Sequence, residues 1–417
     1  MGRGIRLGTL LALCASCIAA RSARAEDLVR IDVPALALSS SSNDFVDLSE
    51  DFLRQQGAFA GLVGQVAYDA ALRYLGIPDA LTLQVANFGA SATLRIPSTG
   101  HVRAFTAVSP ADLENQIEHY IKEDGADEWA RFLEESNAKS ALALLDGNPR
   151  AATALLAASA FRRFGIDSSR ARIGYQSGEL ADWGGAQLRL EGAGYGRVDV
   201  DGFRDLETWD GALTLAGLGR VAGFSFSAIG QYLDYQGAKS YDVGLELGVP
   251  LLLARSEDGE AFPLAWQLTP FVQSGAAASV DLAAGGLFIG GGVVSANALQ
   301  LGPIELTLAN QLVYYHGLPV RNIRGYDFET ELSQLILRNG VKAGVYLFDL
   351  VFADAGASVA NFLLARAAVD AYASPFAGVG VILGGIATLR VGYEADLGIR
   401  GRDYTAHSVR GTVDFQF

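Results

Sequence analysis

The residues best placed to do chemistry are an adjacent histidine and serine near the C-terminus, His407 and Ser408. A histidine within hydrogen-bond reach of a serine is the base and nucleophile pair of many hydrolases. The residues around them alternate between apolar and polar, which predicts a β-strand, and neighbouring residues of a strand point to opposite faces. We therefore expect His407 and Ser408 to be held apart, and we predict no catalytic residue and no enzymatic activity.

The remaining histidines do not form a metal site on spacing. His316 lies beside Tyr314 and Tyr315, as in an aromatic band at a membrane interface. His101 and His119 have no partner at metal-ligand spacing. We predict no cofactor.

Several carboxylates cluster around Gly202 in a predicted loop over 199–207. They form a weak calcium candidate, because the third ligand and the distal glutamate of an EF-hand are missing. A solvated acidic loop is the alternative. The carboxylates are those of Asp199, Asp201, Asp205 and Glu207.

The first 25 residues have the pattern of a secretory signal peptide. Arg3 and Arg6 precede an apolar run over 7–18, and Ala-Arg-Ala ends the segment at Ala25. The run is too short for a membrane-spanning helix. Both cysteines, Cys14 and Cys17, lie within it, so the mature chain is expected to lack disulfides and thiol chemistry.

Charge and composition exclude one class of partner and favour one fold. The formal net charge is −14, and cleavage at Ala25 leaves 28 basic against 46 acidic residues, a charge of −18. We therefore expect no binding to nucleic acid. Half of the residues are hydrophobic, yet none of the apolar runs beyond the signal is long enough to span a bilayer as a helix. A transmembrane β-barrel explains both facts, because its apolar residues alternate with polar ones.

The C-terminal segment alternates strictly from His407 to Phe417, with small, apolar or aromatic residues at every second position. It resembles the closing strand of Gram-negative outer-membrane β-barrels. The resemblance implies that Val413, Phe415 and Phe417 are read by the barrel-insertion machinery. It also implies that the chain lies in the lipid bilayer of the outer membrane of a Gram-negative bacterium after signal cleavage.

Alternation and turn residues predict thirteen strands from about residue 171 onward. Because bacterial barrels have even strand numbers, we expect twelve wall strands, or fourteen if 81–96 contributes a bulged wall strand instead of a hairpin. Short periplasmic turns are expected at 301–303, 348–349 and 384–385, and longer outer loops at 199–207, 317–330 and 362–371. The strands are predicted at 171–178, 184–198, 209–218, 222–235, 239–254, 262–277, 284–300, 303–316, 330–347, 350–362, 371–383, 386–399 and 403–417.

A mainly helical region is predicted over 47–165, with a strand or hairpin at 81–97. Helices are expected near 59–75, after Ser109, from Asp127, and from Asn148 to Gly165. Before this region, 26–46 is expected to be an extended segment with a serine-rich linker at 39–42, and 166–417 to be the barrel. The fold class is thus an all-β transmembrane barrel of 12–14 antiparallel strands with a helical plug or cap.

Period two places charged side chains on the inner face, so the lumen must be wet or filled by a polar plug. We predict a channel or transporter for small solutes, and the architecture is similar to that of the long-chain fatty acid transporter type. A lipid-modifying enzyme, or a structural or assembly barrel that binds a periplasmic partner, are the alternatives. The predicted lumen-lining residues are Arg189, Glu191, Asp242, Glu246, Gln267, Gln273, Glu305, Gln311, Arg390, Glu394, Asp396, Arg410 and Asp414.

Overall fold

The structure is a computed structural model of the chain. It describes residues 28–120, 124–167, 185–200, 203–219, 221–235, 237–256, 264–279, 281–282, 284–323, 326–328, 332–348, 350–383 and 386–416. The predicted signal peptide, the strand predicted at 171–178 and Phe417 lie outside these residues.

The N-terminal domain, residues 28–145, is built on a six-stranded antiparallel sheet in the order β2-β1-β3-β4-β5-β6. Three α-helices pack against it, and a short 3₁₀ helix covers Gly57–Leu62. The strands are β1 (Val29–Val33), β2 (Leu38–Ser42), β3 (Tyr68–Tyr74), β4 (Ile77–Ala86), β5 (Ser91–Ile96) and β6 (His101–Thr106), and the helices are α1 (Phe45–Leu53), α2 (Pro110–His119) and α3 (Ala126–Lys139).

Two of the predicted helix starts in this domain are confirmed. Ser109 caps α2 by accepting a hydrogen bond of 3.2 Å from the backbone N–H of Asp112. In α3, the ring of Trp129 packs on Phe45 of α1, with 5.5 Å between centroids. The ring of Phe132 packs on Tyr74 of the sheet, with 5.4 Å between centroids. These aromatic contacts form the centre of the domain core.

The prediction of a mainly helical region is wrong at Tyr68–Tyr74 and His101–Thr106, which form β3 and β6, whereas the strands predicted at 81–97 are confirmed. The helix expected near 59–75 is replaced by the 3₁₀ helix and β3, because Tyr68, Ala70, Leu72 and Tyr74 are buried at alternate positions, the period of a strand. The serine-rich linker is also wrong, since β2 pairs with β1 along its whole length. Residues 81–96 lie in the hairpin formed by β4 and β5, rather than in a wall strand.

The second part of the chain is a closed antiparallel barrel of twelve wall strands in the residues that the structure describes. The strands are β7 (Gly185–Val200), β8 (Phe203–Leu218), β9 (Gly223–Tyr235), β10 (Ala238–Gly248), β11 (Leu251–Arg255), β12 (Leu264–Ser279), β13 (Ala284–Leu301), β14 (Ile304–Leu318), β15 (Val320–Ile323), β16 (Tyr326–Phe328), β17 (Ser333–Phe348), β18 (Val351–Phe362), β19 (Val369–Leu383), β20 (Ala387–Gly401) and β21 (Tyr404–Gln416).

The lower of the two predicted strand numbers, twelve, is correct. Strands β10 and β11 are one wall strand interrupted at Pro250, because both pair with β12. Strands β15 and β16 form a separate hairpin between β14 and β17. Strand β7 pairs with β21, and the pairing of β10 with β12 closes the ring.

The wall separates an apolar outer face from a polar inner one. On β10, Val243, Leu245 and Leu247 are 50–59% exposed, whereas Asp242 and Glu246 between them are only 1% exposed. Exposed apolar side chains at every second position are what a lipid-facing wall requires. Among the described residues, no helix combines the length and apolar character needed to cross a membrane.

We call the two rims of the barrel the loop end and the turn end. The loop end carries the connections at 201–202, 236–237, 280–283, 319–332, 363–368 and 402–403. The turn end carries those at 219–222, 256–263, 302–303, 349–350 and 384–386. The long loop expected at 199–207 is wrong, because β7 and β8 pair up to Val200 and Phe203 and leave two residues between them.

The N-terminal domain is docked on the loop end. The backbone N–H of Phe45 donates to the carbonyl of Asp281 at 2.6 Å, and the Tyr74 hydroxyl donates to the carbonyl of Leu282 at 2.7 Å. Tyr74 is fully buried, and burial raises the pKa of its phenol, so the hydroxyl stays a neutral donor. Beside it, Gly76 adopts a φ of +79°, and a Cβ there would lie 3.0 Å from the Phe203 ring.

Candidate functional site in the barrel lumen

Residues 146–167, which we call the lumen segment, run through the barrel. At the loop end, the Asp146 carboxylate accepts a hydrogen bond of 2.8 Å from Gln334, near the start of β17. At the other extreme, the carbonyl of Asp167 accepts one of 3.3 Å from Arg189, which is near the turn end of β7. The segment therefore extends from the docked domain most of the way to the opposite rim.

The core of the lumen segment is a helix with no exposed side. Helix α4 (Ala152–Phe161) continues as a π-helical turn over Arg162–Ile166. Every residue of α4 is buried, and the predicted helix from Asn148 to Gly165 matches α4 and this turn. Small side chains dominate α4, which lets its backbone approach the wall closely.

Wall glycines provide the space that the larger side chains of the lumen segment occupy. A Cβ added at Gly244 would lie 2.8 Å from Leu156, one at Gly248 would lie 2.4 Å from Phe164, and one at Gly340 would lie 2.9 Å from Phe161. Such distances are shorter than carbon atoms allow, so no other residue fits there without rearrangement. The wall and the lumen segment are thus complementary in shape.

Glutamine side chains of the wall donate to backbone carbonyls of the lumen segment. Gln273 donates to Leu156 and Gln311 to Ala157, each at 2.9 Å, and Gln267 donates to Phe164 at 3.3 Å. These three donors come from β12 and β14. They satisfy polar groups that would otherwise be buried without partners.

Ion pairs join the lumen segment to the wall on several sides. Arg163 pairs with Glu246, and both side chains are at most 3% exposed. The remaining pairs are Arg150 with Asp396 at 3.2 Å, Arg162 with Glu191 at 3.1 Å and with Glu394 at 3.6 Å, and Asp167 with Lys342 at 3.4 Å and with Arg189 at 3.6 Å. Because breaking one partner of a buried pair leaves an uncompensated charge, these contacts hold the segment firmly.

The structure places all thirteen predicted lumen residues on the inward face. Eight of them contact the lumen segment, namely Arg189, Glu191, Glu246, Gln267, Gln273, Gln311, Glu394 and Asp396. Arg390, Arg410 and Asp414 form ion pairs within the wall, with Asp354, with Asp210 and Glu191, and with Arg189, respectively. Asp242 and Glu305 are buried, inward-facing residues of β10 and β14.

Sequence reasoning missed several charged residues of the lumen. Asp210, Arg338, Lys342 and Asp354 are all buried on the inner face. Arg338 and Lys342 lie at the same period-two positions as the buried Gln334, so the alternation of β17 contained the signal. The sequence does not indicate which residues of the lumen segment these wall residues contact. No spacing rule relates a helix inside a barrel to the strands around it.

Little free space remains beside α4. A cavity of about 30 Å³ lies between α4 and the wall, enough for one or two water molecules. Arg162, Arg338, Arg390 and Glu394 are among its lining residues. A second cavity of about 10 Å³ shares Arg162, Arg338 and Glu394 with it. Each of these two cavities has space for at most one or two particles of about the size of water, so neither is a passage for larger solutes.

The other sequence motifs do not form sites. His407 faces outward, where its Nδ1 lies 2.5 Å from the Tyr393 hydroxyl, and Ser408 is buried on the inner face, as predicted. Asp199 and Glu207 of the calcium candidate lie in paired strands rather than in the predicted acidic loop, and Asp201 lies outside the described residues. In the described part of the chain, no group of three or more His, Cys, Asp or Glu side chains is placed to hold a metal ion.

Comparison with known proteins finds similarity in the fold only. No family model matches the chain, and no curated protein matches it. An outer-membrane channel from Pseudomonas putida F1 is 10% identical, with a TM-score of 0.44 over 59% of this chain and 100% of that one. The translocator domain of the autotransporter NalP from Neisseria meningitidis is 13% identical, with a TM-score of 0.36 over 56% of this chain and 89% of that one. The NanC porin is 11% identical, with a TM-score of 0.36 over 55% of this chain and 100% of that one.

The closed wall, its lipid-facing outer surface and its charged interior define the class of protein. Over the described residues, the chain is a closed antiparallel β-barrel of the outer-membrane type, with twelve wall strands and an occupied lumen.

Proposed function

We propose that the barrel anchors its N-terminal domain on the outer surface of the cell, and that the lumen segment connects the two across the membrane. The path of the chain carries this proposal. The domain is docked at the loop end, the lumen segment crosses the interior, and β7 begins at the turn end. The domain and the first wall strand are therefore at opposite rims.

The orientation follows the rule that such barrels keep short turns in the periplasm and longer loops outside. The longest connection, 319–332, is at the loop end together with the docked domain. The C-terminal strand ends at the turn end, which we assign to the periplasm. Segment and wall are complementary in shape and charge, as expected of a permanent tether. We further propose that the barrel has no enzymatic activity of its own.

Cysteine labelling on intact cells tests the orientation. Because both native cysteines lie in the predicted signal peptide, a single introduced cysteine would be the only target in the mature chain. Arg131→Cys places it on α3 of the domain, where the native side chain is 64% exposed. Leu350→Cys is the matched control at the turn end, where the native residue is 55% exposed.

A membrane-impermeant maleimide should label Arg131→Cys on intact cells, and Leu350→Cys only after the outer membrane is permeabilised. The reverse pattern would place the domain in the periplasm and refute the proposal. Heat-modifiable migration of both variants in gels serves as the control for folding.

A second candidate function is gated passage of small solutes, with the lumen segment as the gate. The observation that favours it is the charge of the wall, since a tether alone does not require so many ionised side chains in the interior. Planar-bilayer recording of the refolded full chain tests it. Discrete openings from a closed baseline are expected, whereas a permanently closed baseline under voltage would leave only the anchoring function.

A further inference from the structure

Arg338 is a buried cation in the lumen with an unusual set of neighbours. Its side chain projects inward from β17 and is only 2% exposed. The guanidinium carbon lies 5.5 Å from the ring centroid of Phe161 and 5.2 Å from that of Tyr372, and Nη2 donates to the Tyr372 hydroxyl at 2.6 Å. Aromatic rings thus surround a full positive charge.

Within the described residues, Arg338 has no carboxylate at ion-pair distance, and its Nε has no hydrogen-bond acceptor. The three other arginines that line the same cavity are each paired. Arg162 pairs with Glu191, Arg390 with Asp354 and Arg410 with Asp210. Among the described residues, Arg338 is therefore the cation at this cavity that lacks a counter-charge.

Arg338 cannot avoid the cost of its unpaired charge by losing a proton, because an arginine side chain stays charged in proteins. Stacking on two aromatic rings offsets only part of the cost of removing the guanidinium from water. An anion in contact with the guanidinium would offset the rest of this desolvation cost.

The cavity beside Arg338 has the size for such an anion. Its volume of about 30 Å³ has space for one or two water molecules. A single halide ion occupies a similar volume. Ser358 contributes a hydroxyl donor to the same lining. The carboxylates of Asp167 and Glu394 also line it, and each is already paired with a cation, Lys342 and Arg162, respectively. We infer that a small inorganic anion of the halide class binds in this cavity, with Arg338 as its principal ligand.

The test uses the refolded full chain with bromide as the probe. Crystals soaked in sodium bromide should show an anomalous peak within about 4 Å of the Arg338 guanidinium, the distance of an ion pair. In solution, a bromide concentration about a hundredfold above Kd should raise Tm by several degrees relative to sodium gluconate at equal ionic strength.

Arg338→Met should abolish the bromide-dependent rise in Tm, and Arg131→Met, which removes an exposed charge, should leave it unchanged. Arg338→Lys keeps the charge and should retain a smaller rise, which provides a readout if the methionine variant does not fold. Equal effects of bromide, sulfate and gluconate, or crystals without an anomalous peak beside Arg338, would overturn the inference.

Discussion

The ion pair of Arg163 with Glu246 offers the sharpest test of how the lumen segment is held. Both side chains are almost completely buried, and Glu246 also accepts a hydrogen bond of 2.5 Å from Gln273. Arg163→Met would leave that carboxylate without a counter-charge, at a cost of about 3–5 kcal/mol. Since each 1.4 kcal/mol is tenfold in an equilibrium constant, the displaced population should rise by roughly two to three and a half powers of ten.

Thiol labelling inside the lumen measures this population. Ala157 lies in the middle of α4 and is 2% exposed, so a cysteine there is protected while the segment is in place. In an Ala157→Cys background, Arg163→Met should raise the rate of maleimide labelling by the same factor, roughly two to three and a half powers of ten. If the gating candidate is right, the conductance of the variant should rise in parallel.

Two further variants serve as controls. Glu246→Leu combined with Arg163→Met removes both charges and should restore most of the protection, because an apolar pair of similar size avoids the uncompensated carboxylate. Arg131→Met breaks a surface pair with Glu128 and should have no effect. Labelling at the wild-type rate in Arg163→Met would show that this pair does not retain the segment.

Three other changes have defined outcomes. Tyr74→Phe removes the hydrogen bond to Leu282 and should weaken domain docking by about 1–3 kcal/mol, seen as faster amide exchange at β3. Val391→Arg puts a charge on the lipid face and should destabilise the barrel by about 2–4 kcal/mol in denaturant titrations. Thr388→Arg, on the inner face, should cost much less. Equal costs would mean that the faces are reversed. Deleting Phe417 should reduce the heat-modifiable protein in the membrane fraction, and normal amounts would argue against an assembly signal.

The wall could be predicted because each of its strands repeats a signal of period two along ten or more residues. Asp242 and Glu246, for example, alternate with Val243, Leu245 and Leu247, and one slip in register would have put charge into lipid. Strand ends were located by the residues between the elements, and most agree with the structure within two or three positions.

The N-terminal sheet was harder, because its strands are short and have weak contrast between faces. In β3, alanines at 70 and 71 lie on opposite faces, so the contrast rests on the short run of Tyr68, Leu72 and Tyr74 against Asp69 and Arg73. The position of α4 was beyond the sequence for another reason. Its residues from Ala152 to Phe161 are apolar all round, which indicates burial but does not indicate by what.

The tight occupation of the lumen constrains how the protein can be assembled. A helix with its side chains is about 10–12 Å across, and one helix leaves space for only a few waters. Six paired strands are about 24 Å wide at the usual strand spacing, so the folded N-terminal domain is too wide for the same passage. If the domain lies outside the cell, it crossed as an unfolded chain or before the barrel closed around the lumen segment, and it folded at the outer surface. If the predicted signal peptide is removed, both cysteines leave with it, and no disulfide can lock the domain before it has crossed.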